Sequence, residues 1–306
     1  MTRYPAGVLV SCEIPWDERG GLLEAAFRQE VRRFLELGFP DVYIFGTAGE
    51  GYAVDTARFR DIVQVFQEET RAPGVRPQVG VIALSTAQFV ERLAIAHDAG
   101  FRTFQISLPA WGALNDREVA RFFGDVCGAF PDSRFLHYNL LRTKRLLTGA
   151  DYRKLIDAVP NLAATKNTSP SVDHTIDLMR NAPELQHFLG DWTFPIGTLW
   201  GECSLLSSFA PILPARTLEM VRAAREARTA DLFLLHRKYL EVVLDVIGPM
   251  RSVSLIDGAY DKLLARLGGL EMPAALLSPY DHFPETVYEE CRAMLERHAG
   301  WATGAD

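Results

Sequence analysis

The run SRFLHYNLLRTKRLLTGADYRKLIDAVPNLAATKN, residues 133–167, decides the fold. It opens with a short apolar segment, SRFLHYN (133–139), and closes with another, NLAATKN (161–167). Between them TGADYRKLIDAVP (148–160) carries apolar residues at helical spacing. A strand, a helix and a strand in that order form the crossover unit of a parallel sheet. The second strand poses a chemical question. Leu162 to Ala164 lead straight into Lys166, with Asn167, Thr168 and Ser169 behind it. An amine at the end of a buried strand is costly unless it is paired or neutralised. Either it reaches past the strand end to water, or the protein holds an amine in a dry place.

The same rhythm extends in both directions. Strands are expected at 7–14, 41–46, 77–84 and 101–109 before this unit, and at 185–191 and 202–208 after it. Helices are expected at 21–38, 55–70, 85–100, 115–130, around 171–181 and around 193–200, with an eighth beginning beyond Pro214. Asp55 and Asn115 or Asp116 are of the N-cap type. Eight strand–helix units predict an α/β fold, a closed (β/α)8 TIM barrel. An open doubly wound sheet would want a glycine-rich phosphate turn after its first strand, and PWDERGG (15–21) does not fit that pattern. Beyond about residue 230 only helical segments follow, at 231–248, 252–269 and 284–300. The expected division is a catalytic barrel over 1–228 and a C-terminal helical appendage over 229–306.

Composition narrows the function classes. A chain of 306 residues with 48% hydrophobic residues can bury a large core without disulfides. A net charge of −7 and the lack of a dense basic block argue against nucleic acid as partner, since RTKR (142–145) is the densest basic spot. Cys12, Cys127, Cys203 and Cys291 form no CxxC pair, so no metal site is expected and free thiols are. The N-terminal apolar run is too short for a signal peptide and contains an acid, and no stretch approaches the ~18 apolar residues of a membrane span. A soluble cytoplasmic protein is the expectation.

In a barrel of this kind the active site lies at the C-terminal ends of the strands. An amine near its usual pKa of ~10.4 is protonated at neutral pH and cannot attack a carbonyl, whereas burial lowers that value and frees the lone pair. Lys166 is therefore a Schiff-base candidate. Tyr138 ends the preceding strand and is its neighbour in the barrel wall, where a phenol can pass protons. GTAGEG (46–51) ends the second strand, and its glycines let consecutive N–H groups converge on an anion such as a substrate carboxylate. The Thr47 hydroxyl is then within reach of the Tyr138 phenol. Taken alone, each element also reads as ordinary strand-end polarity.

Together these residues resemble the dihydrodipicolinate synthase / N-acetylneuraminate lyase family of class I pyruvate-dependent aldolases. The matching features are GTAGE (46–50), the Tyr138–Asn139 pair, Pro160–Asn161, Lys166 with Thr168 and Ser169, and Gly190–Asp191. The tyrosine-to-lysine spacing is 166 − 138 = 28 residues. The resemblance implies a Schiff base between Lys166 and the keto carbon of pyruvate or another 2-keto acid. It further implies Tyr138 as proton shuttle, Thr47 as its orienting hydroxyl, and the Thr47 and Ala48 backbone as holder of the carboxylate. No metal and no diffusible cofactor are implied, and a homodimer or homotetramer is.

Departures from the family pattern bear on substrate. Ala48 stands where a second hydroxyl is usual. Pro109-Ala110-Trp111 replaces a P-Y-Y segment, and an indole N–H donates without relaying a proton. That disfavours dihydrodipicolinate synthase activity itself, and the P-x-W segment is similar to that of hydratase-aldolases. The loop YNLLRT is one residue short and lacks its proline, so Arg142 either binds a distal carboxylate or sits at the surface. Thr168, Asp191, Ser204 and Trp111 complete the expected substrate-binding set. The leading expectation is a lyase that makes or breaks a C–C bond of a 2-keto-3-deoxy acid. A dehydratase or hydratase-aldolase using the same imine, and a keto-acid-binding member without catalysis, are the alternatives.

Overall fold

Each of the eight apolar segments forms a short strand: β1 (Val8–Ser11), β2 (Asp41–Ile44), β3 (Gln78–Val81), β4 (Thr103–Ile106), β5 (Arg134–Asn139), β6 (Leu162–Asn167), β7 (Gln186–Gly190) and β8 (Ser204–Leu206). The computed structural model describes residues 3–303. All neighbours pair in parallel, and β8 returns to β1 through Val8↔Leu205 and Leu9↔Leu206, closing the barrel. The connecting helices are α1 (Glu24–Glu36), α2 (Thr56–Glu69), α3 (Thr86–Asp98), α4 (Asp116–Gly128), α5 (Gly149–Ala158), α6 (Val172–Asn181), α7 (Phe194–Thr198) and α8 (Pro214–Arg225). Their starts are set by local chemistry. Asp55 caps α2 by accepting from the Arg58 amide at 2.8 Å, and Asn115 and Glu118 form a reciprocal capping box on α4.

Alternation along the strands separates two apolar clusters. Val8 and Val10 of the first strand, and Cys12 just past its end, face the helices. Leu9, Tyr43, Leu136, Ala164, Phe188 and Leu206 face inward, and Tyr4 joins them. The N-terminal end of the interior is polar. The Tyr4 hydroxyl donates to Asp41 at 3.0 Å, Arg76 Nε donates to the same carboxylate at 2.6 Å, and Gln186 donates to Ser204 at 2.7 Å.

One irregularity places the opposite end. Phe135 pairs with Leu162 but Leu136 pairs with Ala164, so Ala163 is an extra residue in β6. A bulge of this kind re-aims the side chains that follow it. Downstream of it Tyr138 stands beside Lys166 and Asn139 beside Asn167. The outward Asn139 side chain then fastens the loop after β5, accepting from the Leu147 amide and donating to its carbonyl, both at 2.9 Å.

The remaining chain is helical: α9 (Thr229–Val246), α10 (Asp257–Leu267), α11 (Glu285–Arg297) and α12 (Ala299–Ala302). Two buried polar joints tie it to the C-terminal ends of the strands. Tyr239 of α9 donates to Asp191 at 3.1 Å, and Lys262 of α10 donates to Glu50 at 2.7 Å. No helix among the described residues is long and apolar enough to cross a membrane.

Candidate active site

Lys166 does not reach water. It is 2% exposed, and its Nζ donates to the Tyr43 hydroxyl at 2.8 Å. Two aromatic faces enclose it, with Nζ 3.9 Å from the Tyr43 ring centroid and 4.0 Å from that of Tyr138. No carboxylate forms an ion pair with it among the described residues. Burial therefore dominates and pushes the amine down to about 7, with Asp261, Glu13 and Asp257 pulling the other way. Near neutral pH a large share of Lys166 carries a free lone pair.

The turn after β2 closes over this amine. Phe45 adopts φ +61°, a left-handed conformation that costs a non-glycine residue of order 1 kcal/mol or more. Its fully buried ring stacks on Phe59 at 4.8 Å, a contact that offsets part of that strain. The bend brings Gly46 against the site. A Cβ there would stand 3.1 Å from Lys166 Nζ and 2.8 Å from the Tyr43 ring, so only glycine leaves the amine its place. Among the described residues no protein acceptor takes the Thr47 and Ala48 amides. The Thr47 hydroxyl lies 3.3 Å from the Tyr138 hydroxyl. Burial holds the Tyr138 phenol up at about 12, while Thr47 draws it down, so it rests as a proton donor.

Tyr138, Thr47, Ala48 and Lys166 are thus brought together. Others of the expected set are not. Ser204 is the first residue of β8 and lies at the N-terminal end of the barrel, away from Lys166, accepting from the Gly7 amide and from Gln186. Glu202 precedes that strand and faces Arg3 at the surface. Asp191 is at the correct end but is already engaged. Its carboxylate accepts from Ser207 at 2.7 Å, the Ser208 amide at 3.1 Å and Tyr239 at 3.1 Å. Burial raises it to about 6 against those three donors. It fastens α9 to the loop after β8. Thr168 is exposed, and the Trp111 side chain is 82% exposed in the isolated chain. Arg142 is neither free nor buried: its guanidinium forms a two-point ion pair with Asp257 of α10, at 2.9 and 3.0 Å. Glu50 of the turn is likewise no candidate acid, since it accepts from Lys262, Trp16 and the Leu277 amide.

Several residues that shape the site went unmarked in the sequence reading. Tyr43 supplies the hydroxyl nearest the amine, and Asp257 and Asp261 of α10 set much of its local field. Asp257 and Asp261 also edge a cavity of about 470 Å³, otherwise mostly apolar, that includes Trp192, Phe209, Met250 and Val253. Among the described residues no group of three or more His, Cys, Asp and Glu side chains is placed to hold a metal ion.

A closed barrel whose mouth holds a dry amine in no ion pair among the described residues, with a phenol beside it, has the parts that imine chemistry needs. Comparison with known proteins gives the family and the fold. The model of the dihydrodipicolinate synthetase family matches residues 4–298, and the chain belongs to that family. It is 23% identical over 209 residues to the 4-hydroxy-tetrahydrodipicolinate synthase of Sulfurimonas denitrificans, covering 68% of this chain and 70% of that one. It is 22% identical over 221 residues to the N-acetylneuraminate lyase of Shigella boydii, covering 72% and 74%. Among solved structures, dihydrodipicolinate synthase from Aquifex aeolicus superposes with a TM-score of 0.86 at 17% identity, covering 96% of this chain and 98% of that one. YagE, a prophage protein of the same family from E. coli K12 solved in complex with pyruvate, gives 0.85 at 17% identity over 95% and 98%. The protein is accordingly a lyase of the class I, pyruvate-dependent aldolase type, working through a Schiff base.

Proposed function

We propose that Lys166 is the imine-forming residue and that the substrate is a 2-keto-3-deoxy acid cleaved to pyruvate and an aldehyde, or built from them. The observation that carries this reading is that Lys166 Nζ forms no ion pair with a carboxylate among the described residues and lies between two phenols in the dry mouth of the barrel. The neutral amine adds to the keto carbon. Tyr138 gives a proton to the carbinolamine hydroxyl, which leaves as water. The resulting iminium draws electrons from the C3–C4 bond while the Tyr138 phenolate takes the proton of the C4 hydroxyl, so cleavage releases an aldehyde and leaves an enamine on Lys166. Thr47 keeps the Tyr138 phenol aimed at the reacting atoms, and the Thr47 and Ala48 amides receive the substrate carboxylate. The covalent imine takes the part a cofactor would otherwise play.

The part of the substrate beyond C4 is read as uncharged. Asp257 holds Arg142 in a two-point ion pair, so that guanidinium is not free to take a second carboxylate at the edge of the mostly apolar cavity. This favours cleavage or synthesis of an aldehyde with an apolar or hydroxylated body over one ending in a carboxylate. We also read the working form as a homodimer or homotetramer in the cytoplasm. Leu84, Trp111 and Leu141, at 58%, 82% and 70% exposure, lie on the successive loops after β3, β4 and β5 and suit a second copy of the chain. Residues 1–228 are taken as the catalytic barrel and 229–306 as the helical region that supports its mouth.

Product analysis by NMR on a panel of 2-keto-3-deoxy acids, with neutral and anionic tails, tests the reading. Release of pyruvate from neutral-tailed substrates supports it. Loss of water without C–C cleavage transfers the same imine to a dehydratase, and no turnover of any member counts against an aldolase.

A further inference from the structure

The first strand brings a buried acid to the site that none of the chemistry above uses. Leu9 belongs to the inward cluster, while Val8, Val10 and Cys12 belong to the outward one. The two-residue period of β1 directs Ser11 inward, and the alternation continues past its end, with Cys12 and Ile14 in the outward cluster and Glu13 on the side of Ser11. Ser11 is paired in register with Tyr43, the residue whose hydroxyl receives Lys166 Nζ at 2.8 Å. Glu13 is 3% exposed, its Oε2 is buried without a hydrogen-bond partner, and so is the Ser11 Oγ. The Ser11 hydroxyl lowers both the Tyr43 phenol and the Glu13 carboxyl from the values burial gives them, and it is hydrogen-bonded to neither, so the relay closes when Ser11 turns its hydroxyl between them. A buried carboxylate oxygen left unpaired is costly, and one beside an unpaired hydroxyl marks a place where a proton is taken up or given away.

We propose that Glu13 is the proton acceptor that frees the Lys166 amine, acting through Ser11 and Tyr43. This rests on the imine reading above. The Lys166 ammonium gives a proton to the Tyr43 oxygen, Tyr43 passes its own to Ser11, and Ser11 passes its own to Glu13. One N–H bond breaks and one carboxyl O–H bond forms, both hydroxyls end as they began, and Lys166 is left with its lone pair. The reverse transfer returns the proton when the imine is hydrolysed. Tyr138 and Thr47, on the other side of the amine, remain free to serve the substrate hydroxyls. Glu13 thus positions and holds a proton without touching substrate.

The surroundings suit the task. Burial raises the Glu13 carboxyl and lowers the Lys166 amine, which brings the two towards each other and favours transfer in either direction. The groups that face it are Tyr43 and Glu50 from β2 and its turn, Glu30 from α1, Lys166 from β6, and Asp261 and Lys262 from α10. Glu50 is neutralised by Lys262, and one Glu30 oxygen is held by the Glu13 amide at 2.9 Å. Neither of those carboxyls lies on the route from Tyr43.

The test is the rate of borohydride-trappable imine formation with pyruvate as a function of pH, on the full chain. Glu13→Gln and Ser11→Ala are compared with the unaltered protein, and folding is checked by circular dichroism. The proton-acceptor role requires both variants to form the imine at least about tenfold more slowly near pH 7, with the deficit closing as hydroxide takes over above pH ~9. Ser11→Ala keeps the carboxylate charge, so a slow rate there isolates transfer from electrostatics. A purely electrostatic Glu13 gives the opposite sign. Removing its charge lowers the Lys166 pKa further, Glu13→Gln then traps as fast or faster below pH 7, and Ser11→Ala is unchanged; that pattern overturns the proposal. Failure of the unaltered protein to trap any keto acid would strike the imine reading itself, a distinct outcome. Should Glu13→Gln not fold, Ser11→Ala decides alone.

Discussion

Two buried lysines sit on opposite sides of the turn after β2, and their partners give them opposite roles. Lys262 is wholly buried and donates to Glu50 at 2.7 Å and to the Ala275 carbonyl. Lys166 is 2% exposed and has a phenol and two aromatic faces in place of a carboxylate. Equal burial thus yields a structural clamp in one case and, in the function proposed above, a nucleophile in the other. Burial sets the cost of the charge, and the partner decides whether it is compensated or shed. The clamp serves the nucleophile. Glu50, at φ +54°, belongs to the same turn whose Gly46 makes room for Lys166 and whose Thr47 meets Tyr138.

Substitutions can break this contrast in order of effect. Lys166→Ala removes the only group able to form the imine in this scheme. Turnover is expected to fall by more than about a thousandfold with the fold intact, measured by pyruvate release and circular dichroism. Lys262→Ala should do the reverse. It strands Glu50 in the interior and is expected to cost about 3–5 kcal/mol in urea unfolding, with imine chemistry lost only to the extent that the turn loosens. Tyr138→Phe is expected to lower kcat by about 10²–10⁴ while pyruvate still traps at a measurable level, since it removes proton transfer and leaves the amine.

A smaller effect carries a sign. Burial holds Lys166 near 7 when folded against its ordinary value of 10.5. Between those values the unfolded chain binds the extra proton, so stability rises with pH across that window and the burial cost is full below it. Lys166→Met should therefore raise the unfolding free energy at pH 6–7, by roughly 2–4 kcal/mol, and the gain should shrink towards zero by pH ~10.5. Urea titrations at three pH values read it. The smallest effect belongs to the half-exposed rim. Asp257→Asn is expected to change stability by less than about 1 kcal/mol. By releasing Arg142 it should lower KM for anionic-tailed substrates relative to neutral ones.

Much of this was legible in the sequence because alternation and end signals agree. All eight strands and their helices fall where the apolar rhythm puts them, and the 28-residue spacing set Tyr138 beside Lys166. The bulge at Ala163 that makes this register was silent, because Leu162-Ala163-Ala164 carries no inside–outside alternation. Tyr43 was silent for the same reason, embedded in the uniformly buried DVYI. Glu13 did leave a signal: Ser11 and Glu13, two apart in an apolar strand, point to one polar face. Ser204 was assigned to the wrong end because strand eight is only Ser204–Leu206, so its mouth-side residues are Ser207 and Ser208. Asp191 and Glu50 show a further limit. A strand-end carboxylate looks alike in sequence whether it meets substrate or tethers a helix many residues away.

The most direct measurement is borohydride reduction in the presence of pyruvate, followed by intact mass and peptide mapping of both buried lysines. A single pyruvate-sized adduct on the peptide bearing Lys166, with Lys262 unmodified, is the expected result. An adduct on Lys262, or none on either with the fold intact, would contradict the assignment of the reactive amine to the lysine that lacks a carboxylate.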